Sequence, residues 1–257
     1  MQALTLPANR GLHWLTEGFA IFRKKPALLS FLVLGYWLSM AVISAIPLLG
    51  QIVSFLLIPA FSVSLMNACH LIDTDQELPP QVLFSGFHRN LQPLIVLGAI
   101  YIVASVVVLG LSALFDNGLL FRILVLGQVP GREELEAASV FVSALLAIIL
   151  LIPVIMAFWF APVLTAWHDM QAGKSLFFSL VACARNWRSF LVYSLAVGVV
   201  GVLIPRLINS VLGAGEDPNQ LLPTMFTVML SLVLLPTLYA SFYVSYRDVF
   251  VSLHDEA

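Results

Sequence analysis

Six long apolar runs divide the chain, separated by shorter polar stretches. They cover about residues 28–46, 52–71, 93–115, 139–166, 189–212 and 221–245. A helix crossing a hydrocarbon core of ~30 Å needs roughly 17–25 apolar residues, and each run is of that order. The runs are continuous rather than alternating, unlike the ~10-residue alternating strands of a membrane β-barrel. The pattern therefore predicts an all-α integral membrane protein with six transmembrane helices. Four runs carry proline beyond their first residue: Pro59, Pro153 with Pro162, Pro205, and Pro223 with Pro236. Proline is tolerated in a span because neighbouring helices and Ser/Thr hydroxyls can satisfy the carbonyls it frees.

Three polar-to-apolar passages resemble one another: EGFAIFRKKPALL (Glu17–Leu29), FSGFHRNLQPLIV (Phe84–Val96) and VACARNWRSFLV (Val181–Val192). Each is an amphipathic stretch, then arginine, then a span, and the pattern places elbow helices at about 10–25, 80–90 and 174–187. In the first, Leu12, Leu15, Phe19 and Phe22 share one helical face. A short basic helix with an aromatic face is suited to the headgroup plane. The even-numbered spans also match. LLIP recurs at Leu56–Pro59 and Leu150–Pro153, and LLP at Leu234–Pro236. Ladders of small residues follow: Ala60/Ser64/Ala68, Ala157/Ala161/Thr165 and Thr237/Ser241/Ser245. Residues four apart share a helix face, and small ones let backbones approach. The expectation is one polytopic domain over residues 1–257, built of three elbow-plus-hairpin repeats with the even spans in central contact.

Composition supports the membrane reading. Of 257 residues, 60% are hydrophobic and 10% charged, and the mean hydropathy is +0.99. A soluble domain carries about 25% charged residues. The run after Pro26 lacks a cleavage signature and reads as a retained span. Net charge, −2, says little, whereas the placement of charge says more. With six spans, both termini share one side with the 72–92 and 167–188 loops. That side carries Arg10, Arg23, Lys24, Lys25, Arg89, Lys174, Arg185, Arg188 and Arg247; the other carries Arg122, Arg132 and Arg206. Nine against three predicts both termini in the cytoplasm. The outer loop 116–138 ends acidic (Glu133, Glu134, Glu136), and Leu119–Leu126 is expected to lie in the outer interface or to form a short helix.

Little catalytic or metal chemistry stands out. Cys69 and Cys183 are the two cysteines, and no CxxC spacing exists. The five histidines are His13, His70, His88, His168 and His254. Cys69, His70, His168 and Asp169 could be imagined around a metal, but no HxxxH or HExxH spacing supports it. Neither a GxSxG elbow nor a GxxxxGK[ST] loop occurs. Proton-coupled pathways need intramembrane carboxylates or histidines, and the spans hold none at mid-depth. Arg206 reads as a snorkelling residue, with Asp116 or Asp217 as the alternative partners. Asn67 is the strongest polar residue within a span and is expected to bond between helices. No cofactor is implied, and the basic clusters are too small and too close to the spans for nucleic acid.

LPANRGLHW, EGFAIFRKKP, LFSGF, WFAPVL, ARNWRSFLVY and SYRDVF together resemble a family of uncharacterised proteobacterial inner-membrane proteins, known only as a domain of unknown function. The resemblance spans Leu6 to Phe250 and extends more distantly to the YciC-like group of six-span proteins. It implies a bacterial inner membrane and no catalytic residue. The leading expectation is a non-enzymatic protein that organises membrane lipids or other membrane proteins. Arg89, Arg185, Trp187 and Arg188 are its candidate headgroup contacts, since anionic headgroups attract juxtamembrane Lys/Arg by ~1 kcal/mol each. The alternatives are a transporter or flippase of an apolar or amphipathic substrate, and an accessory subunit of a larger complex.

Overall fold

The computed structural model describes residues 3–47, 49–124, 127–128, 131, 138–211 and 221–251. Arg132, Glu133, Glu134, Glu136, Asp217 and His254 lie outside the described residues. The helices are α1 (Arg10–Lys24), α2 (Pro26–Ser44), α3 (Leu49–Asp73), α4 (Leu91–Asp116), α5 (Leu119–Leu124), α6 (Ala138–Trp159), α7 (Ala161–Trp167), α8 (Ala172–Arg185), α9 (Trp187–Gly198), α10 (Ile204–Val211) and α11 (Leu221–Tyr246). A 3-10 turn occupies Val82–Phe87, and π turns occupy Val199–Leu203 and Arg247–Val251. Among the described residues six helical stretches are long and apolar enough to cross a membrane. They are Pro26–Ser44, Leu49–Asp73, Leu91–Asp116, Phe141–Trp167, Trp187–Leu207 and Met225–Phe250, and each overlaps one of the predicted runs.

The fourth run is not one helix. It breaks at Phe160 because Pro162 has no N–H and its ring excludes the carbonyl four residues back. The break is filled by a side chain. Ser179 Oγ donates to Met156 O (2.7 Å) and accepts from Phe160 N–H (2.9 Å). Those are the two backbone groups that would otherwise have bonded to each other. Pro236 is handled similarly: the carbonyl it frees, Leu232 O, accepts from Ser30 Oγ at 2.8 Å. The fifth span widens into a π turn just before Pro205, where the helical ladder loses a donor.

The elbows do not lie free in the headgroup plane. Helix α1 runs along α11 and α9, α8 runs along α6, and the 3-10 turn lies on α3. The second elbow, expected over 80–90, is only that six-residue turn. The face of α1 is also shifted from expectation. Its buried stripe is Gly11, Trp14, Gly18, Ile21 and Phe22, while Leu12 and Phe19 are exposed. Of the expected stripe, Phe22 belongs to the packed face and Leu15 is half-buried against the core, while Leu12 and Phe19 lie outside it. Glycine permits the contact: a Cβ on Gly18 would lie 2.6 Å from Ser241 N, and one on Gly86 would lie 2.0 Å from Ala60 O.

Burial is concentrated at one end of the bundle. In α3 it begins in earnest at Pro59, in the fourth span at Phe160, and in α11 at Pro236. The earlier halves of these spans face outward with apolar side chains. At the well-packed end Phe160 centres an aromatic cluster with Phe190, Phe242, Tyr246 and Phe250, at ring separations of 5.2–6.4 Å. Leu4 N–H donates to Val249 O (3.0 Å), so the beginning and the end of the described chain meet at this terminal face.

Candidate functional site

A vestibule of about 780 Å³ opens on the terminal face, where the ends of α3, α7 and α11 converge. Its wall is a chain of rings. Tyr243 lies 5.9 Å from His70, His70 5.8 Å from Trp167, Trp167 5.1 Å from Tyr246, and Tyr246 6.4 Å from His168. Hydrogen bonds fix their orientation. Trp167 Nε1 donates to Asn67 Oδ1 (2.8 Å), and Asn67 Nδ2 donates to Ser85 Oγ (2.9 Å). Asn67 thus bonds between helices. Tyr243 Oη donates to Asp73 Oδ2 at 3.1 Å. With that proton committed, the contact between His70 Nδ1 and Tyr243 Oη (3.2 Å) has His70 donating. In the neutral ring the lone pair of His70 therefore sits on Nε2.

Beside the wall lies an ion network contributed by three elements. Arg247 bonds Asp73 (2.9 Å) and Glu17 (2.5 Å); Arg10 bonds Glu17 (3.1 Å) and Asp248 (2.6 Å). Trp14 Nε1 adds a 2.9 Å bond to Asp248 Oδ2. The Arg10 guanidinium is raised from its ordinary range, chiefly by its bond to Asp248. Asp73 and Asp248 line the vestibule together with Arg247. Sequence reading missed this network because its members stand at positions 10, 17, 73, 247 and 248. The available signal was an acid or a base placed where an apolar helix ends.

His168 and Asp169 close the fourth span. His168 Nε2 lies 2.6 Å from Tyr246 Oη, and burial holds its pKa below the usual histidine range against the opposing pull of Asp169. Asp169 takes bonds from Asn90 and Arg89, which hold its carboxyl below the usual range. Arg89 is thus already paired with an acid, at 2.9 Å. Cys69 lies in the core. Among the described residues no three His, Cys, Asp or Glu side chains gather as a metal cluster.

A second feature is a groove of about 430 Å³ between the N-terminal segment Thr5–Ala8 and Arg185, Trp187 and Arg188. Asn186 is the buried hinge beneath it. Its amide bonds Leu6 N–H and Leu4 O, both at 2.8 Å. Arg185 and Arg188 are exposed, and among the described residues neither has an acidic partner. Arg188 stacks over the Trp187 ring, 5.5 Å from its centroid. The small-residue ladders lie at the well-packed end. Ala60, Ser64, Ala68, Ala161, Thr165, Thr237, Ser241 and Ser245 are buried, and Ala157 is half-buried. Arg206 finds no partner in Asp116, whose carboxylate instead accepts from Gly118 N–H and Leu120 N–H.

A probable inner membrane protein of Burkholderia thailandensis is 38% identical to this chain over 261 residues, which cover 97% of the chain and 94% of that protein. The chain belongs to the family of that inner membrane protein. No family model matches it, and no solved structure does. With six apolar helices of spanning length, this member of the family is a multi-pass inner-membrane protein.

Proposed function

We propose that the protein is a non-enzymatic organiser of membrane lipid, holding anionic headgroups in the groove of Arg185, Trp187 and Arg188. The observation that carries this reading is the groove itself. Two arginines without acidic partners among the described residues flank an exposed tryptophan at a helix start, beside a concavity of headgroup size. Trp and Arg at that depth are interfacial anchors, and their attraction for anionic lipid adds to anchoring. Arg89, neutralised by Asp169, is a weaker headgroup contact than Arg185 or Arg188. The reading includes both termini in the cytoplasm and three repeated units. In it, each elbow packs on the even-numbered span of the preceding unit, as α1 does on α11, the 3-10 turn on α3 and α8 on α6. The domain-of-unknown-function and YciC-like affiliations belong to the same proposal. A partner membrane protein is the alternative occupant of the exposed apolar halves of the spans.

The test is lipid mass spectrometry on gently purified protein. Arg185→Ala with Arg188→Ala is expected to remove most co-purified anionic lipid while leaving the helical content unchanged. An unchanged lipid profile would overturn the headgroup role. The transporter reading finds less support, because the vestibule wall contains no residue from the earlier halves of α3, the fourth span or α11.

A further inference from the structure

We propose that the vestibule on the terminal face binds a primary ammonium group. Three independent features converge there. The first is the wall. Five rings, Tyr243, His70, Trp167, Tyr246 and His168, follow one another at centroid separations of 5.1–6.4 Å, and all five line the cavity. A cation is attracted to the face of a Trp or Tyr ring within about 6 Å of its centroid, and three of the five rings, Tyr243, Trp167 and Tyr246, are of those types.

The second feature is charge. Among the described residues the ion network at the vestibule joins Arg10 and Glu17 from α1, Asp73 from α3, and Arg247 and Asp248 from the end of α11. Among the described residues this network joins two arginines to three carboxylates. Arg247, the cation on the lining, is held by Asp73 and Glu17 and lies 4.0 Å from Asp248. An anionic ligand would meet two lining carboxylates and an arginine already engaged by acids. The neighbouring Lys24 and Arg89 are paired with Asp75 and Asp169.

The third feature is a pair of open acceptors. Both bonds to Asp73 go to Oδ2, and Oδ1 has no donor among the described residues. His70 directs its Nδ1–H at Tyr243, so in the neutral ring Nε2 is an acceptor, likewise without a donor among the described residues. His70 and Asp73 are three apart on α3 and share a helical face. An ammonium bearing N–H groups can donate to both while its charge faces the rings. A quaternary ammonium has the charge without the donors. The geometry therefore points to R–NH3+, either a soluble alkylamine or the ammonium head of a lipid entering from the interface.

The experiment uses the full chain, delipidated in detergent, and follows thermal stability against butylammonium chloride with equal sodium chloride as the control. A ligand that binds the folded state raises the midpoint saturably. A saturable rise is expected, with tetramethylammonium weaker. Asp73→Asn should remove the response, and Trp167→Leu should weaken it on the order of tenfold. His70→Phe keeps a ring and removes Nε2, so it should weaken butylammonium and spare tetramethylammonium, even if Asp73→Asn fails to fold. A parallel arm compares nanodiscs with and without phosphatidylethanolamine. Stabilisation there that His70→Phe abolishes, with no response to soluble amine, assigns the ammonium to lipid and sustains the proposal. No saturable response in either arm overturns it, as does a response to sodium phosphate in place of ammonium, or identical responses in wild type and His70→Phe. The Arg185→Ala, Arg188→Ala protein should bind ammonium normally, so this site and the headgroup groove fail or stand separately.

Discussion

Two aspartates show how depth decides what a charge contributes. Asp75 meets Lys24 at 3.1 Å, but its side chain is 80% exposed. Asp248 meets Arg10 at 2.6 Å and Trp14 at 2.9 Å with a side chain only 8% exposed. Exposed pairs contribute about 0–1 kcal/mol, whereas removing one partner of a buried pair costs several. Asp248→Asn is therefore expected to destabilise the protein by about 2–3 kcal/mol, tempered by the partial exposure of Arg10, while Asp75→Asn should change stability by about 0.5 kcal/mol or less. Denaturation midpoints of the two variants in one detergent check the contrast. His168 supplies a pH dependence. Burial lowers its folded pKa below the unfolded value of about 6.5, so the unfolded chain takes the proton first. Its contribution to stability is full above about pH 6.5 and is lost as pH falls through the folded pKa. Thermal midpoints should fall from pH 7.5 to 5.5, and His168→Gln should flatten the slope in that window. Asp169, also depressed, acts with the same sign but at lower pH, below about 3.9.

Helices and their contacts were unequally legible in the sequence. The six spans stand out because a bilayer enforces length and apolarity on each helix separately. The break at Phe160 was half legible: Pro162 marked the place, but Ser179, which fills it, stands nineteen residues away. The face of α1 was misjudged by one position because two stripes of the helix are apolar. Leu12 and Phe19 face outward, while Trp14, Gly18 and Ile21 face α11 and α9. Size rather than hydropathy separates those stripes, since the packed one carries the glycines. Gly86→Ala tests the same dependence on size at the 3-10 turn. Its Cβ would lie 2.0 Å from Ala60 O, a backbone atom that cannot swing aside. A cost of about 1–3 kcal/mol or more is expected, together with loss of the bond from Gly86 N–H to Ser64 Oγ (2.9 Å). Gly198→Ala is the control, because nothing lies within 4 Å of its added Cβ.

At the scale of the whole molecule, the vestibule arises from chain ends brought together. Its acids and bases come from the first twenty residues, the middle and the last dozen described, and no local pattern could have joined them. What the sequence does carry at this scale is the asymmetry of positive charge, and the fold sharpens it into a test. Arg10, Lys24, Arg89, Arg185 and Arg247 all stand on or beside the terminal face, where the chain ends meet. If that face is cytoplasmic, Glu77 is inside the cell and Gln128 outside, and both are exposed. The native cysteines do not interfere. Cys69 and Cys183 are buried, and burial pushes the Cys183 thiol up to about 12, so neither reacts readily near neutral pH. In intact spheroplasts a membrane-impermeant maleimide should label Gln128→Cys and spare Glu77→Cys, and lysis should expose the second. The opposite pattern would turn the bundle over. The vestibule would then open outward, where an ammonium would arrive from outside the cell rather than from the cytoplasm.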